Sequence, residues 1–439
     1  MVNGRLTPIL MNFLTTIPAF IRILIVFAVI LVSIHRKLAL GHCFSLGALV
    51  LGILFGMTPL AILRSVAIAL SHPKTLSLAV VVSLILVLSH SLEAAGQMQR
   101  LLDRFQGLIR IQAISIIVFP ALIGLLPMPG GAIFSAPMVK NLGTRGQLNA
   151  ADLSYVNYWF RHIWEYWWPL YPGILLITAI SGLNLWSLVL KSLPMTIVAV
   201  IIGYWPLRGK LSFSNPRPPN ARSLVNRSSW PFFVELTPIW MVIVLGIAIG
   251  AGLSGLNMFG NIAKEAGLII ALVLAILLVW HTNGVSATTR RKILLNRKLG
   301  SLVYMVASIL IFKGILEDSQ AVVAVSSDLL KWGIPLVVVA VALPMLVGIV
   351  SGITIAFVGT TFPILISLIQ ASSANTAILP YLILGLVSGF VGVLFSPLHV
   401  CLLLSNEYFE TSLDQAYHRL IVPCLVMVIA ALIYFRILS

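Results

Sequence analysis

Charged residues are scarce in this sequence. They make up 9% of its 439 residues, and only 12 residues are acidic. A water-soluble domain carries about 25% charged residues, whereas 59% of this chain is hydrophobic. The composition therefore excludes an ordinary soluble protein and predicts an all-α polytopic membrane protein, whose first partner is the lipid bilayer.

Cysteines and nucleotide-binding motifs are also few. The three cysteines are odd in number and all fall in apolar runs, so we expect no disulfide framework. No Gly-Lys-Ser/Thr phosphate-binding loop occurs, which argues against a pump driven by ATP.

Four residues are candidate metal ligands: His162, Glu165, His399 and Cys401. They match no H-E-x-x-H or paired C-x-x-C motif, and two of them lie more than 200 residues from the other two. We therefore expect no metal site, and no cofactor apart from a coupling ion.

Basic residues outnumber acidic ones, and the formal net charge is +16. Most of the 28 Lys and Arg residues lie in short loops between apolar runs, a pattern that fits membrane orientation better than nucleic-acid binding. The positive-inside rule places these loops, with the amphipathic segment 93–110, on the cytoplasmic face. We expect a multi-pass protein of the cytoplasmic (inner) membrane, with both termini outside and no nucleic-acid partner.

Apolar runs at about 18–34, 40–58 and 74–92 predict three transmembrane helices near the start of the chain. Two shorter apolar limbs follow at about 111–142, and Pro127-Met-Pro-Gly-Gly131 separates them. At 1.5 Å per residue the limbs span about 24 and 16 Å, less than the ~30 Å of a bilayer core. They predict a re-entrant hairpin.

The stretch from about 153 to 180 is long enough to cross a bilayer, yet it contains Arg161, His162 and Glu165. An ionisable group at the bilayer centre costs roughly 2.5–3.5 kcal/mol, so such residues indicate a functional site by default. On a continuous helix the three side chains would share one face. The alternative is an interfacial aromatic belt in which Arg161 reaches the lipid headgroups.

Two prolines interrupt this stretch and predict a broken helix. Pro169 and Pro172 have no N–H to donate, so we expect the carbonyls of Glu165 and Trp168 to be free for a cation, water or a polar ligand.

The second part of the chain repeats the pattern, with a hairpin at about 334–369 and a broken helix at about 375–405. In that broken helix Pro397 is expected to free the carbonyl of Val393. Local sequence repeats as well, since Pro120 and Gly124 recur 224 residues later as Pro344 and Gly348.

We therefore divide the chain into a first repeat (1–205), a cytoplasmic linker (206–229) and a second repeat (230–439). Each repeat is predicted to have five full crossings and one hairpin. An odd number of crossings turns the second half upside down relative to the first, so the pattern predicts an inverted repeat of two five-helix halves.

The interruptions define the candidate site. The solute is expected to contact a set of charged, polar and glycine residues at the breaks and hairpin tips: Gly130, Gly131, Ser135, Arg161, His162, Ser351, Thr354, Ser396 and His399. The coupling ion is expected at Glu165 and at the carbonyls of Trp168 and Val393.

Three segments carry a resemblance to known membrane families: Leu126–Ala132, Phe160–Tyr166 with Pro169–Pro172, and Ser396–Cys401. They resemble the family catalogued as domain of unknown function 401, and the architecture resembles the ion transporter superfamily. The resemblance implies an elevator-type carrier, in which hairpins and broken helices move against a scaffold that is often dimeric.

These features predict a secondary active transporter rather than an enzyme. It would move a small anionic, carboxylate-like solute by alternating access, coupled to sodium or protons, as a homodimer. Two alternatives remain at this point: an intramembrane enzyme that uses His162, Glu165 and His399, and a passive channel.

Overall fold

The structure is a computed structural model that describes residues 16–105, 108, 111–125, 131–143, 148–210, 229–372 and 377–439. Within these ranges the regular elements are helices, without a strand. Helices satisfy their own backbone hydrogen bonds, as a chain in lipid requires. Seven of the described helices are long and apolar enough to cross a membrane, so the all-α, multi-pass prediction is confirmed at this level.

The helices of the first part, in chain order, are α1 (Ala19–His35), α2 (Leu40–Leu54), α3 (Pro59–Ser71), α4 (Pro73–Ala94), α5 (Gln97–Phe105), α6 (Gln112–Gly124), α7 (Ala132–Gly143), α8 (Ala150–Trp159), α9 (Pro172–Ser181) and α10 (Leu185–Tyr204). Short 3-10 turns cover Phe160–His162 and Trp205–Leu207. Most of the predicted linker, 211–228, lies outside the described residues.

The helices of the second part are α11 (Trp230–Glu235), α12 (Thr237–Gly255), α13 (Ala263–Thr282), α14 (Ala287–Leu294), α15 (Arg297–Asp318), α16 (Ala321–Lys331), α17 (Leu336–Ser351), α18 (Thr354–Ser372), α19 (Ile378–Leu394), α20 (Val400–Phe409) and α21 (Leu413–Leu438). A 3-10 turn covers Gly260–Ile262. The second predicted hairpin is α17 and α18, and the second broken helix is α19 and α20.

The helix predicted at 40–58 is shorter than expected, and a second helix, α3, follows it after a turn. α2 ends at Leu54, and Gly56 follows in the left-handed region at φ 76°. Thr58 then caps α3 by accepting a hydrogen bond from the N–H of Ala61, and Pro59 occupies the first helical position. Sequence analysis did not predict α3, whose 13 residues are too short to cross a bilayer.

The helices pack in two corresponding sets of contacts. In the first hairpin α7 lies against α8 and α20, and in the second hairpin α18 lies against α19 and α9. Outside the hairpins, α2 lies against α15 while α13 lies against α4. Each half of the chain therefore completes its packing with elements of the other half.

Loops that the charge pattern predicts on one side contact each other. Asp152, which is fully buried, pairs with Lys210 (Oδ2–Nζ 2.7 Å) and with Arg419 (Oδ1–Nε 2.9 Å). Arg100 pairs with Glu235 (3.2 Å) and donates to Asn283 Oδ1 (2.5 Å). These contacts join three of the predicted loops in one cluster, around Asp152, and two in another, around Arg100.

Glycines at matching places allow backbones to touch. A Cβ at Gly124 in α6 would lie 2.0 Å from Arg161 O, and one at Gly348 in α17 would lie 2.2 Å from Gly389 O. The first helix of each hairpin therefore touches the backbone of a broken helix. The two contacts occur at Gly124 and Gly348, which correspond to each other in the sequence repeat.

We expect Gly124→Ala and Gly348→Ala each to destabilise the protein by about 1–3 kcal/mol or more, because the added methyl overpacks a backbone contact. Thermal unfolding of the purified protein in detergent measures the effect. The control is Gly252→Ala in α12, where a Cβ has nothing within 4 Å. Equal melting temperatures for all three variants and the wild type would contradict this contact.

Candidate functional site

The first broken helix is interrupted over a longer stretch than a proline kink. α8 ends at Trp159, one 3-10 turn follows, and further turns continue until α9 begins at Pro172. The continuous helix expected to carry Arg161, His162 and Glu165 is therefore absent, because Glu165 lies beyond the helical turns, but all three side chains still line one cavity. Arg161 and His162 are buried, each with 2% of its surface exposed.

Aromatic side chains of the first break donate hydrogen bonds to the carbonyls at the C-terminal end of α6. A helix leaves its last four carbonyls without intrahelical donors, and lipid offers none. Three side chains donate to carbonyls there: Trp164 Nε1 to Ala121 O (2.6 Å), Trp168 Nε1 to Leu125 O (3.0 Å) and Tyr171 Oη to Gly124 O (2.6 Å). These aromatics donate hydrogen bonds within the protein, and the burial of Arg161 does not fit the alternative in which its side chain reaches the lipid headgroups.

The tip of the second hairpin fits into the second break. Gly352 joins α17 to α18 in the left-handed region at φ 65°. Its carbonyl oxygen lies 2.8 Å from His399 Nδ1. A Cβ at Gly352 would lie 2.8 Å from Ser396 Oγ and 3.0 Å from His399 N, so only glycine fits this contact without displacement.

Two histidines from opposite halves of the chain meet at this point. His399 Nε2 lies 3.2 Å from His162 Nε2, and His162 Nδ1 lies 2.6 Å from Tyr158 O. Arg161 Nη1 is 3.3 Å from His162 Nε2. Gly131, at the described edge of the first hairpin's tip, lies against the guanidinium of Arg161, since a Cβ there would be 2.5 Å from Nη2.

Glu165 also links the two halves. Its Oε2 accepts a hydrogen bond from Thr354 Oγ1 at 2.7 Å, and its Oε1 lies 4.0 Å from His162 Nε2. Thr354 is the first residue of α18. The carboxylate is therefore held at a helix N-terminus, where the peptide dipoles stabilise negative charge.

The carbonyls of Trp168 and Val393 are not free, which corrects the expectation for the coupling ion. Trp168 O accepts from the N–H of Tyr171 (3.0 Å), and Val393 O accepts from the N–H of Ser396 (3.0 Å). The prolines remove bonds of the α-helical type, but the breaks fold into tight turns whose bonds reach three residues instead of four. Neither carbonyl therefore has the unsatisfied acceptor that the prolines suggested.

A cavity of about 570 Å³ connects these side chains. One wall comes from the breaks and the second hairpin tip, with charged and polar residues that include Arg161, Glu165 and His399. The facing wall comes from α4 and α15, with apolar residues such as Val82 and Met305. A small polar solute could lie between the two walls.

Of the other predicted solute contacts, Thr354 lines this cavity, while Gly131, Ser135, Ser351 and Ser396 do not. Ser135 Oγ donates to Asn157 Oδ1 (2.6 Å), and Ser351 Oγ donates to Val347 O (2.7 Å). Ser396 Oγ accepts from Leu398 N (3.2 Å). Gly130 lies outside the described residues.

Sequence reasoning missed the cavity residues that α4 provides. Ser89, His90 and Glu93 lie along its lining, at the end of an apolar helix that sequence analysis treated as an ordinary span. Ser89 Oγ is buried and has no hydrogen-bond partner among the described residues. A signal was present, since four polar residues, Ser89, His90, Ser91 and Glu93, fall within five positions at the end of an otherwise apolar run.

The fold and the site define an all-helical, multi-pass membrane protein with a buried polar site at interrupted helices. The chain belongs to the family described as "Protein of unknown function (DUF401)", whose model it matches over residues 19–438. The resemblance to this family is thereby confirmed. No curated protein matches the sequence at a significant level.

We expect Trp168→Phe to destabilise the protein by about 1–3 kcal/mol, because it leaves Leu125 O as a buried acceptor without its donor. The matched control is Trp167→Phe, since Trp167 Nε1 has no hydrogen-bond partner among the described residues. Thermal unfolding in detergent compares the two variants. An equal loss of stability in both would show that ring packing, not the hydrogen bond, stabilises the break.

Proposed function

We propose that this protein is a secondary active transporter of the cytoplasmic membrane that moves a small anionic, carboxylate-like solute, coupled to sodium or protons. It is not an enzyme in this proposal, and the coupling ion drives its transport. Arg161 attracts the anion, and Glu165 with Thr354 responds to the coupling cation.

The observation that carries the proposal is the meeting of two broken helices and a hairpin tip at one buried cavity. The Thr354–Glu165 and His399–His162 contacts join residues 189 and 237 positions apart in the chain. Discontinuous helices bring backbone ends and charged side chains to mid-depth, where transporters of this type bind solute and ion. A simple bundle of continuous spans would have no reason to bury Arg161 and Glu165 together.

The two walls of the cavity come from different sets of helices, and this supports an elevator mechanism. One wall belongs to the hairpins and broken helices, while α4 and α15 provide the other, which is apolar at Val82 and Met305 and polar at Ser89, His90 and Glu93. A site whose ligands all lie on one set of helices can slide along the other set and change the side on which it opens without losing those ligands. In this proposal the hairpins and broken helices move, and α1, α2, α12 and α13 belong to a scaffold through which two copies associate.

An inverted repeat is consistent with the packing and with the prolines. Matching helices contain internal prolines in three pairs: Pro120 in α6 and Pro344 in α17, Pro137 in α7 and Pro363 in α18, and Pro194 in α10 and Pro423 in α21. The reciprocal contacts of α7 and α18 are what a two-fold axis in the membrane plane produces.

Re-entry is proposed for both hairpins, with different support from their limbs. α7 has 12 residues, or about 18 Å, which falls short of a bilayer core. α18 has 19 residues, or about 28 Å, which approaches the thickness of that core. For the second hairpin the support is the position of Gly352, which is buried against His399 in the second break.

We expect Glu165→Gln to abolish gradient-driven accumulation while exchange of bound solute survives, because coupling needs a site whose charge changes with cation binding. The measurement uses proteoliposomes with imposed sodium and proton gradients. The solute panel contains radiolabelled mono-, di- and tricarboxylates, sulfate and phosphate.

The matched control is Glu317→Gln, a carboxylate that lies outside the cavity and should leave accumulation unchanged. Concentrative uptake by Glu165→Gln at the wild-type rate would remove Glu165 from the coupling step. Wild-type flux that only equilibrates the solute would indicate a channel. Chemical turnover in detergent without any gradient would indicate an enzyme.

The inverted repeat and its orientation predict opposite labelling of two exposed loop residues. Lys37 follows α1, and Asn257 holds the corresponding place after α12. We expect Lys37→Cys to react with an impermeant thiol reagent from the cytoplasmic side, and Asn257→Cys from the outside. The three native cysteines are buried and provide the unlabelled background. Labelling of both positions from the same side would overturn the inverted repeat.

A further inference from the structure

Three ligand atoms from widely separated positions converge beside the cavity. His162 Nε2, His399 Nε2 and Cys401 Sγ all lie within 4.8 Å of one another. Their separation in sequence was the reason for expecting no metal site, and the fold removes that reason. We propose that these three side chains bind one borderline-soft divalent cation of the Zn²⁺ class.

The orientation of the imidazoles is that of metal ligands. Each Nδ1 faces a backbone carbonyl, Tyr158 O for His162 and Gly352 O for His399. A carbonyl oxygen only accepts, so each Nδ1 carries a proton, and each ring in its neutral form presents its Nε2 lone pair. Metal-binding histidines are usually fixed in this way by a bond from their other nitrogen.

The spacing fits a tetrahedral ion. Two Zn–N bonds of 2.0–2.1 Å place the nitrogens about 3.3 Å apart, and the observed Nε2–Nε2 distance is 3.2 Å. A tetrahedral N–S edge is about 3.6 Å. With no pair of ligand atoms beyond 4.8 Å, metal binding requires a contraction of about 1.2 Å at most.

Two lone pairs that face each other at this distance need a positive charge between or beside them. In the metal-free protein Arg161 Nη1 lies 3.3 Å from His162 Nε2 and supplies part of this positive charge. A bound cation takes over this role, and the guanidinium then no longer has the His162 Nε2 lone pair as an acceptor. Imidazole and thiolate together select Zn²⁺ over Mg²⁺ or Ca²⁺, which prefer oxygen ligands.

Two negative charges of the site can balance the charge of a divalent cation. Cys401 binds as the thiolate and releases its proton to the cavity. Glu165, with Oε1 4.0 Å from His162 Nε2, adds a second negative charge next to the metal. The cation is then neutralised, and the positive charge of Arg161 remains for an anion. Three protein ligands leave one position open toward the cavity, as in reactive rather than structural zinc sites.

The test uses the full chain, purified in detergent, stripped with a chelator, reloaded with Zn²⁺ and desalted. We expect one zinc per chain by elemental analysis. With Co²⁺ as the probe we expect a thiolate-to-cobalt charge-transfer band and the visible bands of a tetrahedral ion. Neither readout involves transport, so a failure of the proposed function leaves the metal test intact.

Cys401→Ser and His399→Gln should each weaken Zn²⁺ binding at least about tenfold, the smallest loss expected from disturbing a metal's surroundings. Cys401→Ser should also abolish the charge-transfer band. The control is the double variant Cys43→Ala/Cys424→Ala, which leaves Cys401 as the remaining cysteine and should keep both signals. A single elution peak and the metal-free melting temperature establish that each variant is folded.

Two results would overturn the proposal. The first is a folded wild-type protein that retains no stoichiometric zinc, which would leave a shared proton to hold the two histidines together. The second is a folded Cys401→Ser variant with the zinc affinity of the wild type.

Discussion

Every backbone group that lies at bilayer depth must have a partner within the protein, and this constraint organises the structure. Continuous helices meet it internally, but the interrupted ones have chain ends whose backbone groups need partners elsewhere in the protein. The aromatic residues of the first break satisfy carbonyls of α6, while Gly352 and His399 join the second hairpin to the second break. These contacts bring the ends of the interrupted helices together, and the polar site lies where they meet.

The same constraint explains why charged residues are concentrated where they are. A buried Arg161 or Glu165 alone would be costly in lipid. The fold places the Glu165 carboxylate on Thr354 at a helix N-terminus and the Arg161 guanidinium beside His162. Glu165 thus has a partner from another segment, whereas Arg161 has its neighbour in the chain. The Glu165–Thr354 contact depends on the position of the second hairpin, so a movement of this hairpin, as the proposed carrier requires, would change the electrostatics of the site.

A bound metal ion would add one more interaction between the two halves of the chain. His162, His399 and Cys401 come from the two broken helices, so a cation bound to all three would tie the halves of the chain together at the site. It would also change the local charge and leave Arg161 for the solute. Binding of the metal and attraction of an anion would then reinforce each other through charge, without any direct contact between Arg161 and the metal.

The sequence by itself determined the membrane class, most of the spans and the places where helices break, because hydropathy, proline and glycine act locally. Predicted spans such as 262–280 and 415–437 agree with α13 and α21 to within a few residues. Local rules failed at α3 and at the carbonyls of Trp168 and Val393, because caps and tight turns supply hydrogen bonds that a proline count does not reveal. Only the tertiary structure decided that Thr354 holds Glu165, that His162 meets His399 and Cys401, and that Ser135 lies outside the cavity. These contacts join segments far apart in the chain, and packing across the whole protein sets them.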